Sequence, residues 1–189
     1  MKRVLVVAAG ALFASAAVVL GIGLAAPASH RAKCRIEFPG HTPRQVWELV
    51  GDVEGWSEWN SLVDGMEPRP DDGPGERWLM ASEWGKTPAR IEAREPDSRL
   101  VVHLDGDGFE GRWTYELAPA ESATGTDTDI DTNGRGCVLE ITEAGRVANP
   151  VMRAIGLFMD EHESMRTVMT DLAVRLGETD SSPVIVPVE

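Results

Sequence analysis

Cysteine is scarce in this 189-residue chain, which holds only Cys34 and Cys137. Two thiols cannot build a disulfide framework, and alone they fall short of a four-ligand zinc site. Basic residues are also few, 18 Lys and Arg against 31 Asp and Glu, for a net charge of −13. Phosphate contacts are made by clustered Lys and Arg, so the balance argues against a nucleic-acid binder. It argues equally against attachment to anionic lipid through a basic patch. Tyrosine occurs once, as Tyr115, and the G-x-S-x-G nucleophile motif is absent. What the chain does have is 42% hydrophobic residues and six Trp, enough to fill a core. The length suits one domain with a small appendage.

The appendage is at the N-terminus. Residues 1–28 contain Lys2 and Arg3 and no acid. With those two set aside, 16 basic residues face 31 acidic ones, so residues 29–189 carry −15. Val4 to Ala28 is an unbroken apolar or small run. A spanning helix needs about 20 such residues, whereas a signal-peptide core has roughly 7–15. The length favours an uncleaved anchor over residues 4–26. A signal cleaved near Ala28, after Ala26-Pro27-Ala28, is the alternative. The anchored form is expected at the cell membrane with the domain on the extracytoplasmic side. The cleaved form would be secreted or periplasmic.

Within residues 29–178, His30 to Lys33 reads as a basic linker and Cys34 to Phe38 alternates as a first strand. Thr42-Pro43 is a helix start, an N-cap with proline in the first turn, and the helix reaches Val50. A second short helix, Val53 to Asn60, carries Trp56 and Trp59. Five further alternating runs read as strands: 76–84, 88–94, 100–105, 112–117 and 137–143. Each has one apolar and one mostly polar face, as in an antiparallel sheet wetted on one side. Arg77, Arg90, Arg94 and Arg112 fall among acids on the polar faces and read as cross-strand partners. Asn149-Pro150 opens a last helix that runs to Leu176 and stops at Gly177. At ~1.5 Å per residue it would be about 40 Å long. Residues 121–134 are expected to form a mobile acidic loop, and residues 179–189 a disordered tail.

This order is α+β. The apolar face of a curved sheet needs a cover, and the last helix is the only element large enough. Space left between the two is a candidate pocket. The stretch Val46-Trp47-Glu48-Leu49-Val50-Gly51-Asp52-Val53-Glu54-Gly55-Trp56-Ser57-Glu58-Trp59-Asn60 resembles the helix-to-helix signature of the polyketide cyclase/dehydrase branch of the START-like (SRPBCC) superfamily. Gly111 to Leu117, the passage from Thr142-Glu143 to Asn149-Pro150, and Leu172 to Glu178 fit the same branch. The resemblance implies a helix-grip fold: seven curved antiparallel strands around a long C-terminal helix, the first strand paired with the last. It covers about residues 32–178, and the acidic loop is an addition to its pattern.

Candidate site residues follow from inward parity. Trp78, Met80, Trp84, Ile91, Val102, Trp113 and Tyr115 would line one wall. Ile155, Met159 and His162, on a helix stripe rich in Met, would line the other. Soft Met side chains suit a pliable lid, although ordinary core packing explains such a stripe equally well. Three groups could move protons, namely His162, Tyr115 and Glu143. His162 reads more simply as a satisfied or rim histidine, and Glu143 as a structural acid near a helix start. The reading that results is an anchored or exported binder of a small hydrophobic ligand, lipid or polyketide-like, with no cofactor or metal. The alternative is a cyclase or dehydratase acting on a hydrophobic carbonyl compound in the same cavity.

One motif points elsewhere. Asp129-x-Asp131-x-Asn133-Gly134 followed after five residues by Glu140 satisfies the EF-hand calcium pattern. An EF-hand loop joins two helices, whereas this segment joins two strands, so Asn133-Gly134 reads as a hairpin turn. Calorimetric titration is expected to show no calcium binding tighter than about 1 mM, the weak end for extracellular modules.

Overall fold

A computed structural model describes residues 18–120 and 136–188. The acidic loop 121–134, with its EF-hand-like segment up to Gly134, lies outside the described residues, as do residues 4–17 of the apolar run. Residues 18–25 are helical. Among the described residues no helix is long and apolar enough to cross a membrane.

The domain begins with β1 (Ser29–Phe38), followed by α1 (Pro43–Val50) and a 3-10 turn at Glu54–Glu58. Six strands follow: β2 (Gly65–Pro68), β3 (Glu76–Ser82), β4 (Gly85–Glu95), β5 (Arg99–Gly106), β6 (Phe109–Pro119) and β7 (Cys137–Val147). Then come α2 (Pro150–Gly156), α3 (Glu163–Leu176) and β8 (Val184–Ile185). The strands form one antiparallel sheet in the order β2-β3-β4-β5-β6-β7-β1-β8. The first strand pairs with β7 along its whole length, from Ser29 opposite Arg146 to Phe38 opposite Cys137.

Side-chain parity then builds the core. Residues directly opposite in adjacent strands share a face. One inner row runs Cys34, Ile141, Tyr115, Leu100, and the next runs Ala32, Glu143, Trp113, Val102, Ile91. Helix α3 covers these rows with Met165, Val168, Met169 and Leu172, all buried and spaced for one helical face. On the wetted face Glu92 takes both Arg90 (2.7 Å) and Arg112 (2.6 Å).

Local signals fix the ends. Thr42 and Gln45 form a capping box, with Thr42 N donating to Gln45 Oε1 at 2.9 Å and Gln45 N to Thr42 Oγ1 at 3.4 Å. Gly177 closes α3 at φ 78°, in the left-handed region that favours glycine. Just beyond, Glu178 Oε1 accepts from Gly40 N at 2.7 Å and ties the helix end to the β1–α1 turn.

Four expectations change. The sheet has eight strands because β2 and β8 extend its edges. Val184 and Ile185 pair with Arg35 and Cys34, so part of the tail expected to be disordered adds a strand. The supposed linker 30–33 belongs to β1, held there by Lys33–Glu140 (2.6 Å) and by the full β7 ladder. The single 40 Å helix is broken into α2 and α3. Asp160 Oδ1 accepts from His162 N at 2.9 Å and Asp160 Oδ2 binds Arg166, a local arrangement that competes with helical hydrogen bonds. Gly156 weakens the helix just before the break.

Cys34 and Cys137 are free and buried. Cys34 faces Ile141 while Cys137 faces Phe38, so four ladder positions separate them. That is about 13 Å, far beyond what a disulfide bridges. Burial pushes the Cys137 thiol up to about 11. Leu172 is fully buried beneath the sheet. Leu172→Ala is expected to cost roughly 2–5 kcal/mol in urea unfolding, since the concave sheet cannot collapse onto the gap.

Candidate functional site

Two hollows follow one another along α3. The inner one is a chamber of about 80 Å³. Its sheet wall is Met80 of β3, Val102 and Leu104 of β5, and Trp113 and Tyr115 of β6. Val168 of α3 faces them, and Trp56, Asn60, Leu62 and Val63 close the end. Trp56 is fixed by its own indole, whose Nε1 donates to Val50 O at 3.0 Å. The closing loop is fastened to α3 by Ser61 N donating to Asp171 Oδ2 at 2.8 Å. Asn60 is the one buried polar residue of this loop, and its Oδ1 accepts from Leu62 N at 3.1 Å.

Tyr115 is the central wall residue. Its ring lies 5.8 Å from that of Trp56 and 6.2 Å from that of Trp113. Burial first, and the charge of Glu143 second, hold its hydroxyl well above the usual phenol range. At neutral pH it is therefore a protonated donor and not a base.

The outer hollow, about 450 Å³, lies between the start of β1, the end of β7, and α2 with the turn that follows it. Its polar centre is His30 with Glu143, Nε2 to Oε1 at 3.3 Å. His30 shares the inward parity of Ala32 and Cys34, and Gly145 opposite it leaves room, since a side chain there would collide with the imidazole. The hydrogen bond to Glu143 raises the His30 pKa above its ordinary value, burial opposes this, and the charges of Glu143 and Glu161 add to the rise. The hollows adjoin: Trp113 of the chamber is the cross-strand partner of Glu143, and Val168 is one turn beyond Ser164 of the outer hollow.

Of the residues singled out in the sequence, Met80, Val102, Trp113 and Tyr115 meet at the chamber. Trp78 and Ile91 are half-buried against the core beside it. Trp84 is 85% exposed, because β3 ends at Ser82 and Ser82 pairs with Gly85 across a tight turn. Ile155 is exposed, and Met159 reaches only the outer hollow, because the helix break turns both away from the sheet. His162 stands at the N-cap position of α3 without a side-chain cap bond, its Nδ1 3.4 Å from Asp160 Oδ1, and borders neither hollow. Tyr115 and Glu143 share the inner face, and the partner of Glu143 is His30, which the sequence placed in a linker. Leu104 and Val168 were within reach of the strand and helix periodicities. The closing loop 60–63 has no periodicity to find it by. Among the described residues no three His, Cys, Asp or Glu side chains could together hold a metal ion.

A curved antiparallel sheet closed by a C-terminal helix, with a hollow between them, defines a helix-grip protein. Residues 39–169 match the family model for polyketide cyclase / dehydrase and lipid transport. The chain belongs to that family. No curated protein sequence matches it. Solved structures share the fold at low identity. Norcoclaurine synthase from Thalictrum flavum, in complex with dopamine and hydroxybenzaldehyde, is 11% identical with a TM-score of 0.56, covering 83% of this chain and 91% of that one. XoxI from Bacillus cereus is 15% identical with a TM-score of 0.54, covering 82% and 99%. A Thermobifida fusca protein is 18% identical with a TM-score of 0.56, covering 82% and 96%.

The raised His30 pKa has a sign. The pair contributes to stability fully below the ordinary pKa of 6.5, and the contribution fades as pH rises through the folded-state pKa. Replacing the carboxylate by Glu143→Gln should bring the His30 titration, followed by NMR, down toward 6.5. An unchanged midpoint would show that the pair does not form.

Proposed function

We propose that the protein binds a small hydrophobic ligand, lipid or polyketide-like, between the sheet and α3. The observation that carries this is the chamber itself, apolar on nearly every side and faced by Tyr115 and Asn60 as its polar residues. Ligand pockets typically enclose about 300–1,000 Å³. At about 80 Å³ the chamber holds only the end of such a molecule. The rest occupies the outer hollow, where His30 and Glu143 meet its polar part. Met80 and the exposed Met152 and Met159 are soft enough to re-pack around different shapes. In this reading residues 4–26 anchor the protein in the cell membrane, with the domain on the extracytoplasmic side.

A second reading is a cyclase or dehydratase. It rests on one specific feature, a protonated Tyr115 and the His30–Glu143 pair on the same sheet face. Tyr115 would donate to a substrate carbonyl while the pair moves a proton.

Organic extraction of the purified full-length protein, followed by mass spectrometry, should recover a hydrophobic compound. Val168→Trp fills the chamber and should lower that recovery at least about tenfold while circular dichroism stays unchanged. Equal recovery from both proteins sinks the binding reading. Tyr115→Phe separates the enzyme reading: loss of turnover with retained ligand supports catalysis.

A further inference from the structure

Exposed large apolar side chains are concentrated on one part of the surface. Val151, Met152, Ile155, Leu157, Phe158 and Met159 are exposed by 42% to 89% within nine consecutive residues. Beside them the helix at 18–25 exposes Val18, Leu20, Ile22 and Leu24. The two groups are in contact. Gly23 lies against the carbonyl of Pro150, where no larger residue fits, and Arg153 Nη1 donates to Ala26 O at 3.5 Å. Elsewhere on the described domain such residues are single, as Trp84 and Val174, or form the smaller group Val184, Ile185 and Val188. A contiguous apolar surface of this kind marks an interaction site.

Its charge sets it apart as well. In a chain of net −13, residues 144–159 contain Arg146 and Arg153 and no acid. Arg31, exposed on β1, lies on the strand next to β7. In the sequence, the helix at 18–25 is preceded by fourteen uncharged residues from Val4 onward, and these by Lys2 and Arg3. The apolar run is thus long enough to span a bilayer and ends against α2. An aqueous protein partner would have to cover both this run and α2. A bilayer covers both at once; no acid lies between Ala144 and Met159 to be repelled by an anionic surface, and of the two acids just beyond, Asp160 is held by Arg166.

We propose that α2 and the Leu157–Met159 turn form a membrane-docking face, with Phe158 and Leu157 immersed in the lipid interface beside the end of the N-terminal helix. Attachment is by apolar insertion and not by a basic patch. Because Met152, Leu157 and Met159 also line the outer hollow, docking sets its mouth at the lipid surface. A hydrophobic ligand then passes between bilayer and cavity without entering water. That consequence rests on the ligand-binding reading, whereas the docking does not.

The test uses the full-length protein reconstituted in phosphatidylcholine vesicles, with and without phosphatidylglycerol. Phe158→Cys carries an environment-sensitive fluorophore, and so does Asp97→Cys in the β4–β5 turn, at the opposite end of the strands. Buried Cys34 and Cys137 are left in place. A lipid-borne quencher should quench the label at 158 at least about threefold more than the label at 97. Equal quenching in protein that remains on the vesicles overturns the proposal. So does a label at 158 that is shielded but not quenched by lipid, since its own N-terminus or a second copy would then cover the face. Phe158→Glu should shift the quenching at a label on Met152→Cys toward that at 97. Ligand recovery by extraction is read separately, so failure of docking and failure of ligand binding are distinguishable.

Discussion

An antiparallel sheet with one apolar face is unstable in water until something covers that face, and here the main cover is the fourteen-residue helix α3, with Val46 and Val50 of α1 closing one end. Much of the structure serves that contact. The ladder between β1 and β7 brings the first strand beside the seventh and makes the apolar face broad enough to curve. Glu178 fastens the far end of α3 to the β1–α1 turn, and Asp171 fastens its side to the loop after Trp56. These bonds fix where the helix lies and so how much space remains beneath it. Met165, Val168, Met169 and Leu172 fill most of that space, and the chamber is what they leave near Trp113 and Tyr115.

The same parity that builds the core places polar groups inside it. Tyr115 and Glu143 face inward because Leu117 and Ile141, two residues away on their strands, must do so. Such a group is tolerated only with compensation. Glu143 is compensated by His30, at a position where glycine on the neighbouring strand leaves room for the imidazole. Tyr115 is compensated by remaining protonated among aromatic rings. A polar strip therefore adjoins the apolar chamber, and the strip follows from sheet register rather than from local sequence.

The strands were legible because alternation is a local signal. The capping box at Thr42 and the glycine stop at Gly177 were legible for the same reason. What escaped the sequence depends on partners far along the chain. His30 to Lys33 alternates weakly and becomes strand only because β7 supplies its ladder, and with it the acid for His30. The pairing of Val184 and Ile185 with β1 has no local pattern. The break before α3 turns on Asp160 binding His162 N and Arg166, which a stripe of apolar residues conceals. That one break explains why Ile155, Met159 and His162 are absent from the chamber while Met165 onward covers the sheet. Trp84 was lost to a two-residue turn, since alternation does not say where a hairpin closes.

The geometry weighs more heavily for binding than for acid–base chemistry. A general acid and base need groups whose proton affinities differ and which reach the same reacting atom. The chamber itself presents one titratable group, Tyr115, and burial fixes its proton. His30 and Glu143 lie in the next hollow, hydrogen-bonded to each other, so each offsets the charge of the other. Under the proposed binding, an apolar chamber followed by a polar pair and a mixed rim, Met152, Leu157 and Met159 beside Arg153, Asp160 and Glu161, would suit an elongated amphipathic molecule. Such a molecule gains from desolvating its apolar end while its polar part keeps hydrogen bonds, and it needs no bond made or broken to account for the site.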